Sequence, residues 1–182
     1  MKIGIVLGSI RDNRSGSAVA EWVLEHASKR SDATFETIDV SEFNLPLLSD
    51  AVLPGMRGGN YPDPQVQAFA DRLAAVDGYI FITAEYNHGI PGAFKNAVDQ
   101  VGPEFNEKPV AFVSYGAENG NRAVEQWRQV VANFNMFDIR NQVTLNLFTD
   151  FGEAGFQPSE RKFGELEAVF DSLVPLAAKL AA

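Results

Sequence analysis

The chain has 182 residues, of which 46% are hydrophobic, and its formal net charge is −9. This length and composition are sufficient for one sizeable core, so we expect a single domain over residues 1–182. The sequence has no cysteine, which excludes disulfides, thiolate metal sites and cysteine nucleophiles, and its negative charge argues against a nucleic-acid surface. No basic leader precedes the first apolar run and no run approaches about 20 residues, so we expect a cytoplasmic protein without membrane insertion.

An almost unbroken apolar run from Ile3 to Leu7 predicts a first strand that is covered on both faces. A loop of small and polar residues follows, before an amphipathic helix. Hydroxyls, arginines and a helix N-terminus in one loop are typical of a phosphate-binding site. The candidate phosphate ligands are Ser9, Arg11, Arg14, Ser15, Gly16 and Ser17. A Ser-rich helix cap with surface arginines would give the same pattern, and the loop matches neither the Walker A nor the Gly-x-Gly-x-x-Gly motif.

Residues 34–40 alternate in hydrophobicity and predict a second strand near the edge of the sheet. The following stretch, residues 43–64, is rich in proline and contains the pair Gly58-Gly59. A long irregular segment in a compact domain is usually functional or mobile. We interpret it as a flap or a subunit contact, and a merely tolerated insertion stays open as the alternative.

The central motif of the chain follows a third predicted strand at residues 78–82. It consists of Glu85, Tyr86, Asn87 and His88, which we expect to be exposed at the carboxyl end of the strand, followed by Gly89. In open α/β sheets this edge is where ligands bind. Glycine and proline at residues 89–92 predict a sharp turn and then a helix at residues 91–101. For His88 we favour a backbone contact over proton donation.

Two further features of the helices are predicted from their spacing. Lys95 and Asp99 lie four residues apart in the weaker order for a helix ion pair, so we expect tertiary or intersubunit partners for both. His26, on the surface of the first helix, is expected to be solvated.

Residues 109–115 and 143–147 predict a fourth and a fifth strand. Ser114, Tyr115 and Gly116 open a third small-residue loop, in which Tyr115 either flanks a planar ring or belongs to a tight connection. Five strands alternating with five helices predict an α/β fold, a flavodoxin-like three-layer α/β/α sandwich with a five-stranded parallel sheet of order 2-1-3-4-5. In this order the loops after strands one and three lie side by side.

Three segments together resemble the NADPH-dependent FMN reductase family, which includes flavin, quinone and azo-compound reductases on a flavodoxin-like fold. They are Gly8-Ser9-Ile10-Arg11 with Arg14 and Gly16, the run from Glu85 to Gly92 with Lys95-Asn96-Ala97 and Asp99, and Ser114-Tyr115-Gly116. The resemblance implies that Ser9, Arg11, Arg14, Ser15 and Gly16 hold the FMN phosphate. It implies further that Glu85, Tyr86, Asn87 and His88 line the isoalloxazine ring, and that Ser114 and Gly116 cover its remaining side.

The resemblance also implies an activity, in which NADPH or NADH passes hydride to N5 of FMN and the flavin then reduces a quinone, an azo dye, a free flavin or a metal oxyanion. The flavin carries this chemistry, so no catalytic side chain and no metal are expected. Backbone N–H groups between Glu85 and Gly89 would stabilise charge on the reduced ring. A homodimer or tetramer is implied through the helix at residues 91–101, with Phe94, Lys95 and Asp99 at the interface.

Two other classes of function stay open on the sequence. A flavodoxin-type FMN electron carrier would pass single electrons to a protein partner, and the acidic charge suits such a carrier. A flavin-free binding or regulatory protein would keep the fold without the cofactor. The sequence leaves undetermined the physiological acceptor, the preference between NADPH and NADH, the choice between dimer and tetramer, and the role of residues 43–64.

Overall fold

The computed structural model describes residues 1–182 and contains a parallel sheet of five strands in the order β2-β1-β3-β4-β5, which confirms the predicted topology. The strands are β1 (Lys2–Leu7), β2 (Thr34–Asp39), β3 (Gly78–Ala84), β4 (Pro109–Gly116) and β5 (Phe137–Asn146). A small antiparallel ribbon of β6 (Phe151–Gly152) and β7 (Gly155–Phe156) follows β5.

Five helices cover the two faces of the sheet. They are α1 (Ser15–Ala27), α2 (Pro64–Ala74), α3 (Gly92–Asp99), α4 (Asn121–Asn133) and α5 (Glu160–Leu180). Helices α1 and α5 pack on one face in a cluster of 23 buried residues, and α2, α3 and α4 pack on the other in a cluster of 22. The two clusters are almost equal in size, which explains why every residue of β3 and β4 is buried. None of these helices combines the length and apolar character needed to cross a bilayer.

Strand β5 begins at Phe137, six residues before the predicted start at residue 143. Its first half alternates exposed polar residues with buried Ile139, and the pairing with β4 shifts register between Val110 and Phe112. Because β5 lies at the edge of the sheet, its first half carries exposed polar side chains. This half therefore lacks the apolar pattern from which a strand is predicted. Arg128 of α4 covers this half through an ion pair with Asp138.

Within the single chain, two expectations about surface side chains were wrong. Lys95 and Asp99 pair with each other, with Nζ 2.7 and 2.8 Å from the two carboxylate oxygens, because successive turns of α3 bring both to the same half-exposed face. His26 is half-buried rather than solvated: its Nδ1 lies 2.8 Å from the carbonyl oxygen of Trp22, and its ring centroid lies 5.0 Å from that of Phe163 in α5.

Residues 43–64 are mostly irregular, with one short 3-10 turn at Pro54–Met56. Side chains elsewhere hold both ends of the segment. Asn96 of α3 donates to the carbonyl of Pro46 at 2.8 Å and accepts from the N–H of Leu48 at 3.0 Å. At the other end, the Tyr61 hydroxyl donates to the buried carboxylate of Glu104 at 2.9 Å. One end of the segment therefore lies on α3, and the other end is joined to the turn that follows α3.

Candidate functional site

The loop after β1 is packed tightly against its neighbours. A Cβ added at Gly8 would lie 1.9 Å from Cδ1 of Phe94, and one at Gly16 would lie 2.6 Å from the hydroxyl of Tyr115 and 2.8 Å from Leu7. Only glycine fits at these two positions. The first turn of α1 therefore lies directly beside the end of β4.

The guanidinium of Arg14 binds groups within this loop and at the end of β2. Its guanidinium forms an ion pair with Asp39 at the end of β2, donates to the carbonyl of Ser9, and places Nε 3.1 Å from the hydroxyl of Ser17. Arg11 forms no ion pair and is exposed, with its guanidinium carbon 5.9 Å from the centroid of the Tyr86 ring. Of the two arginines, Arg11 is therefore the one whose charge is available to a ligand.

The N-terminus of α1 has no side-chain cap, since the N-cap position is Arg14 and no side chain accepts from the first-turn N–H groups. Uncapped N–H groups and the positive end of the helix dipole attract anions. Together with Arg11 and the half-buried Ser15, they are the candidate anion-binding groups at the carboxyl edge of the sheet.

The loop after β3 is a tight turn with two left-handed residues. Asn87 and His88 have φ values of 49° and 74°, and reciprocal hydrogen bonds of 3.0 and 3.1 Å join the backbone of Tyr86 and Gly89 around them. This is the geometry of a type I′ turn. The N–H groups of Tyr86 and Gly89 are used within the turn, whereas those of Asn87 and His88 have no acceptor in the protein and stay free to bind a ligand.

The expectation that all four residues of this motif are exposed was wrong for Tyr86, which is half-buried, and above all for Glu85. Its side chain is only 5% exposed, and its carboxylate accepts two hydrogen bonds from Arg122 at the start of α4, with which it also forms an ion pair. The Nε and Nη2 atoms of Arg122 lie 2.6 and 2.5 Å from Oε1, and its backbone N lies 3.1 Å from Oε2. Arg122 has no apolar periodicity or motif that marks it in the sequence, so sequence reasoning missed it.

Hydroxyl groups join the three loops. The Ser9 hydroxyl, which is buried, lies 2.9 Å from the hydroxyl of Tyr86, so it connects the loops after β1 and β3. Tyr115 is nearly buried, and this burial raises the pKa of its hydroxyl to about 12. Ser114 is completely buried and donates to the carbonyl of Asn119 at 2.8 Å, so it shapes the loop after β4 and presents no hydroxyl at the surface.

A cleft runs across the carboxyl ends of β1, β3, β4 and β5. Ten residues line it: Arg11, Asn13, Arg14, Ser15, Ala84, Glu85, Tyr86, Tyr115, Gly116 and Leu147. Six of the predicted site residues are among them, and the cleft adds Asn13, Ala84 and Leu147, which sequence reasoning did not select. The other predicted residues are not part of its lining: Ser9, Gly16, Ser17, Asn87, His88, Gly89 and Ser114.

A family model described as NADPH-dependent FMN reductase matches residues 1–150. The chain is 39% identical over 129 residues to an NAD(P)H-dependent FMN reductase of Nectria sp., a match that covers 69% of this chain and 64% of the relative. It is 32% identical over 135 residues to an NAD(P)H-dependent FMN reductase of Schizosaccharomyces pombe, covering 74% and 68%. The chain thus spans just under two thirds of the Nectria protein. An NAD(P)H:quinone oxidoreductase of Solanum tuberosum is 29% identical and matches 99% of this chain and 94% of its own length.

Solved structures agree on the fold. FerB, a flavoenzyme NAD(P)H:acceptor oxidoreductase from Paracoccus denitrificans, matches with a TM-score of 0.76 and 18% identity, covering 98% of this chain and 97% of that chain. A flavodoxin from Pseudomonas aeruginosa matches with a TM-score of 0.54 and 17% identity over the full length of both chains. The fold is flavodoxin-like. With a model match over most of its length and two fungal relatives above 30% identity, the chain belongs to the NADPH-dependent FMN reductase family.

Proposed function

We propose that this chain is an FMN-dependent NAD(P)H oxidoreductase that reduces small quinone-type acceptors. One observation carries the proposal: an uncapped helix N-terminus with a free arginine lies in the same cleft as Tyr86 and Tyr115, and the turn that begins at Tyr86 has two free N–H groups. A phosphate fits the first part, and a planar ring that gains negative charge fits the second. Family membership and the names of the relatives support the same ligand.

The residues present fit FMN at the phosphate end. Arg11, the hydroxyl of Ser15 and the first-turn N–H groups of α1 would hold the phosphate. Arg14, bound to Asp39, Ser9 and Ser17, keeps the loop in shape. We propose that its contribution to FMN binding comes through this loop structure.

The residues present also fit the flavin ring. Free N–H groups of Asn87 and His88 would face its polar edge, and Tyr86, Tyr115 and Gly116 would form the walls. When bound, FMN accepts a hydride from NAD(P)H and then delivers it to the acceptor. The protein binds and orients the ring and supplies preformed donors where negative charge develops. Glu85 adds no opposing negative charge, because Arg122 neutralises its carboxylate.

We propose a homodimer in which α3 and the segment lying on it form the contact. Phe94, which the resemblance placed at the interface, is completely buried against Phe81 and Trp127 in this chain, so it is unavailable to a partner. Leu47, Leu53 and Met56 carry the exposed apolar surface instead, at 82%, 68% and 77% exposure. We also propose a cytoplasmic location, which the lack of cysteine supports.

The test is an anaerobic reaction of the purified protein with FMN, in which NADPH or NADH is added and the flavin absorbance is followed in a stopped-flow spectrometer. We expect rapid bleaching in a two-electron step and re-oxidation by a simple benzoquinone. Bound FMN that neither nucleotide reduces, but that a one-electron donor does reduce, would instead identify an electron carrier. A protein that binds no FMN would contradict both.

A further inference from the structure

Arg122 connects two parts of the turn after β3 that the sequence separates. Its side chain and backbone N bind the Glu85 carboxylate at the entry to the turn, and its Nη1 lies 3.1 Å from Nδ1 of His88 at the tip. A single side chain from α4 therefore fixes the entry and the tip of the turn at once.

Gln126 lies one helical turn further along α4 and holds the exit of the same turn. Its amide nitrogen donates to the carbonyl of His88 at 3.0 Å, and its amide oxygen accepts from the N–H of Ile90 at 3.1 Å. Residues four apart on a helix share a face, so Arg122 and Gln126 act together. Two adjacent non-glycine residues with positive φ are strained, and they persist only where the surroundings hold them.

The positive charge of Arg122 also neutralises the buried carboxylate of Glu85. The Glu85 side chain is almost completely removed from water, whereas that of Arg122 is 39% exposed. Glu85 also lines the cleft. Without the guanidinium, a buried carboxylate would face the cleft with no cation beside it, and it would oppose any ligand that becomes negatively charged.

We propose that Arg122 is a positioning residue that presents the free N–H groups of Asn87 and His88 to the flavin, and that its pairing with Glu85 favours the reduced form of bound FMN. The proposal rests on the proposed function, because it takes the cleft as the flavin site. Arg122 acts through Glu85 and the turn, so its removal affects reduced FMN more than oxidised FMN.

The experiment measures the dissociation constants of oxidised and reduced FMN, under anaerobic conditions for the latter, in four variants. Arg122→Gln is expected to weaken binding of reduced FMN about tenfold more than binding of oxidised FMN, which lowers the two-electron potential by about 30 mV. The double variant Glu85→Gln/Arg122→Gln removes both charges and is expected to return this ratio to near the wild-type value. Arg122→Lys is expected to lie between the two. Arg128→Gln on the same helix, whose partner is Asp138, is the matched control and is expected to leave the ratio unchanged.

Hydrogen exchange of residues 85–90 in the FMN-free protein provides a second readout that needs no flavin. Faster exchange in Arg122→Gln and in the double variant, with wild-type exchange in Arg128→Gln, is expected if Arg122 holds the turn. An unchanged ratio of dissociation constants in Arg122→Gln would overturn the electrostatic part, and unchanged exchange would overturn the positioning part. A wild-type protein that binds no FMN would overturn the proposed function itself, a result that the exchange measurement distinguishes from failure of the turn contacts.

Discussion

Arg11 and Arg14 lie three residues apart in one loop and have different physical roles. Arg14 is mostly buried, and its guanidinium forms an ion pair with Asp39 and a hydrogen bond to the carbonyl of Ser9 in the loop. Arg11 is exposed and forms no ion pair. A charge-assisted hydrogen bond contributes about 1.5–3 kcal/mol. The two substitutions should therefore separate ligand binding from stability.

We expect Arg11→Ala to weaken FMN binding by about tenfold to a hundredfold and to leave the thermal midpoint unchanged, because only the ligand loses a partner. Arg14→Ala should weaken binding and also lower the free energy of unfolding by about 1.5–3 kcal/mol, because Asp39 loses its cation. Fluorescence titration of FMN and urea unfolding measure the two quantities. Arg161→Ala, at an exposed position of α5, is the control. Unchanged FMN affinity in Arg11→Ala would place the phosphate elsewhere.

The buried hydroxyl of Tyr115 makes the free energy of unfolding depend on pH in the alkaline range. Burial raises the pKa of its hydroxyl from 10.0 to about 12. The unfolded chain therefore releases this proton near pH 10 while the folded chain keeps it. The stabilisation is complete below pH 10 and is lost as the pH rises towards 12, at up to about 1.4 kcal/mol per pH unit. Burial also raises the pKa values of Tyr61 and Tyr79, and it lowers that of Lys108, which acts in the opposite direction.

We expect Tyr115→Phe to have a shallower decline in unfolding free energy between pH 10 and pH 12 than the wild type. The other titrating groups are the same in both proteins, so the difference between their slopes belongs to Tyr115. Urea unfolding at half-unit pH intervals, followed by tryptophan fluorescence, gives both curves. Parallel curves would show that the hydroxyl titrates equally in the folded and unfolded chains.

At the scale of elements, close packing joins the start of α1 to the end of β4. A Cβ at Gly16 would meet the Tyr115 hydroxyl at 2.6 Å, so Gly16→Ala should destabilise the protein by about 1–3 kcal/mol. Gly16→Ala/Tyr115→Phe removes that oxygen and should recover part of the loss, although Leu7 stays close. Gly164→Ala in α5, where a Cβ meets nothing within 4 Å, should stabilise by about 0.5–1 kcal/mol. Urea midpoints measure all three, and equal losses in the single and double variants would exclude the hydroxyl contact.

In α3, tertiary packing determines whether an apolar side chain such as Phe94 is buried or available to a partner. In the sequence, Phe94 is an apolar residue of a short helix and could face a partner. In the structure it lies under Gly8 and against Trp127, since the two strands β1 and β3 bring the Gly8 loop and α3 together. Residues 43–64 contact α3 at Asn96, whereas Lys95 and Asp99 stay half-exposed.

At the scale of the whole molecule, the most exposed apolar side chains of residues 43–64 are expected to determine assembly. We expect Leu47→Ser/Met56→Ser to convert the proposed dimer into a monomer, because both side chains would lose their buried contacts. Light scattering coupled to size-exclusion chromatography measures the mass. Phe148→Ser is the matched control, since Phe148 is 80% exposed but follows β5. A wild-type monomer, or a dimer in the double variant, would contradict this interface.

The sequence by itself determined the fold and indicated where a candidate site lies. Apolar runs such as residues 3–7 and 78–82 mark buried parallel strands, and the polar loops that follow them must meet at one edge of such a sheet. These are local patterns of hydrophobicity and turn residues, which a chain carries wherever it folds. Only β5, whose outer half is polar, began earlier than its pattern indicated.

Only the tertiary structure showed which charged side chains have no ion-pair partner within the protein. Arg14 and Glu85 look like available ligands in the sequence, but Asp39 and Arg122, 25 and 37 residues away, bind them. An ion pair between distant residues depends on the distances that packing sets, and no local periodicity records it. The same holds for Phe94, whose burial depends on the loop after β1. The sequence thus predicted where the cleft lies, whereas only the packing of α4 and β2 showed that Arg11 has no ion pair and that the N–H groups of Asn87 and His88 have no acceptor within the protein.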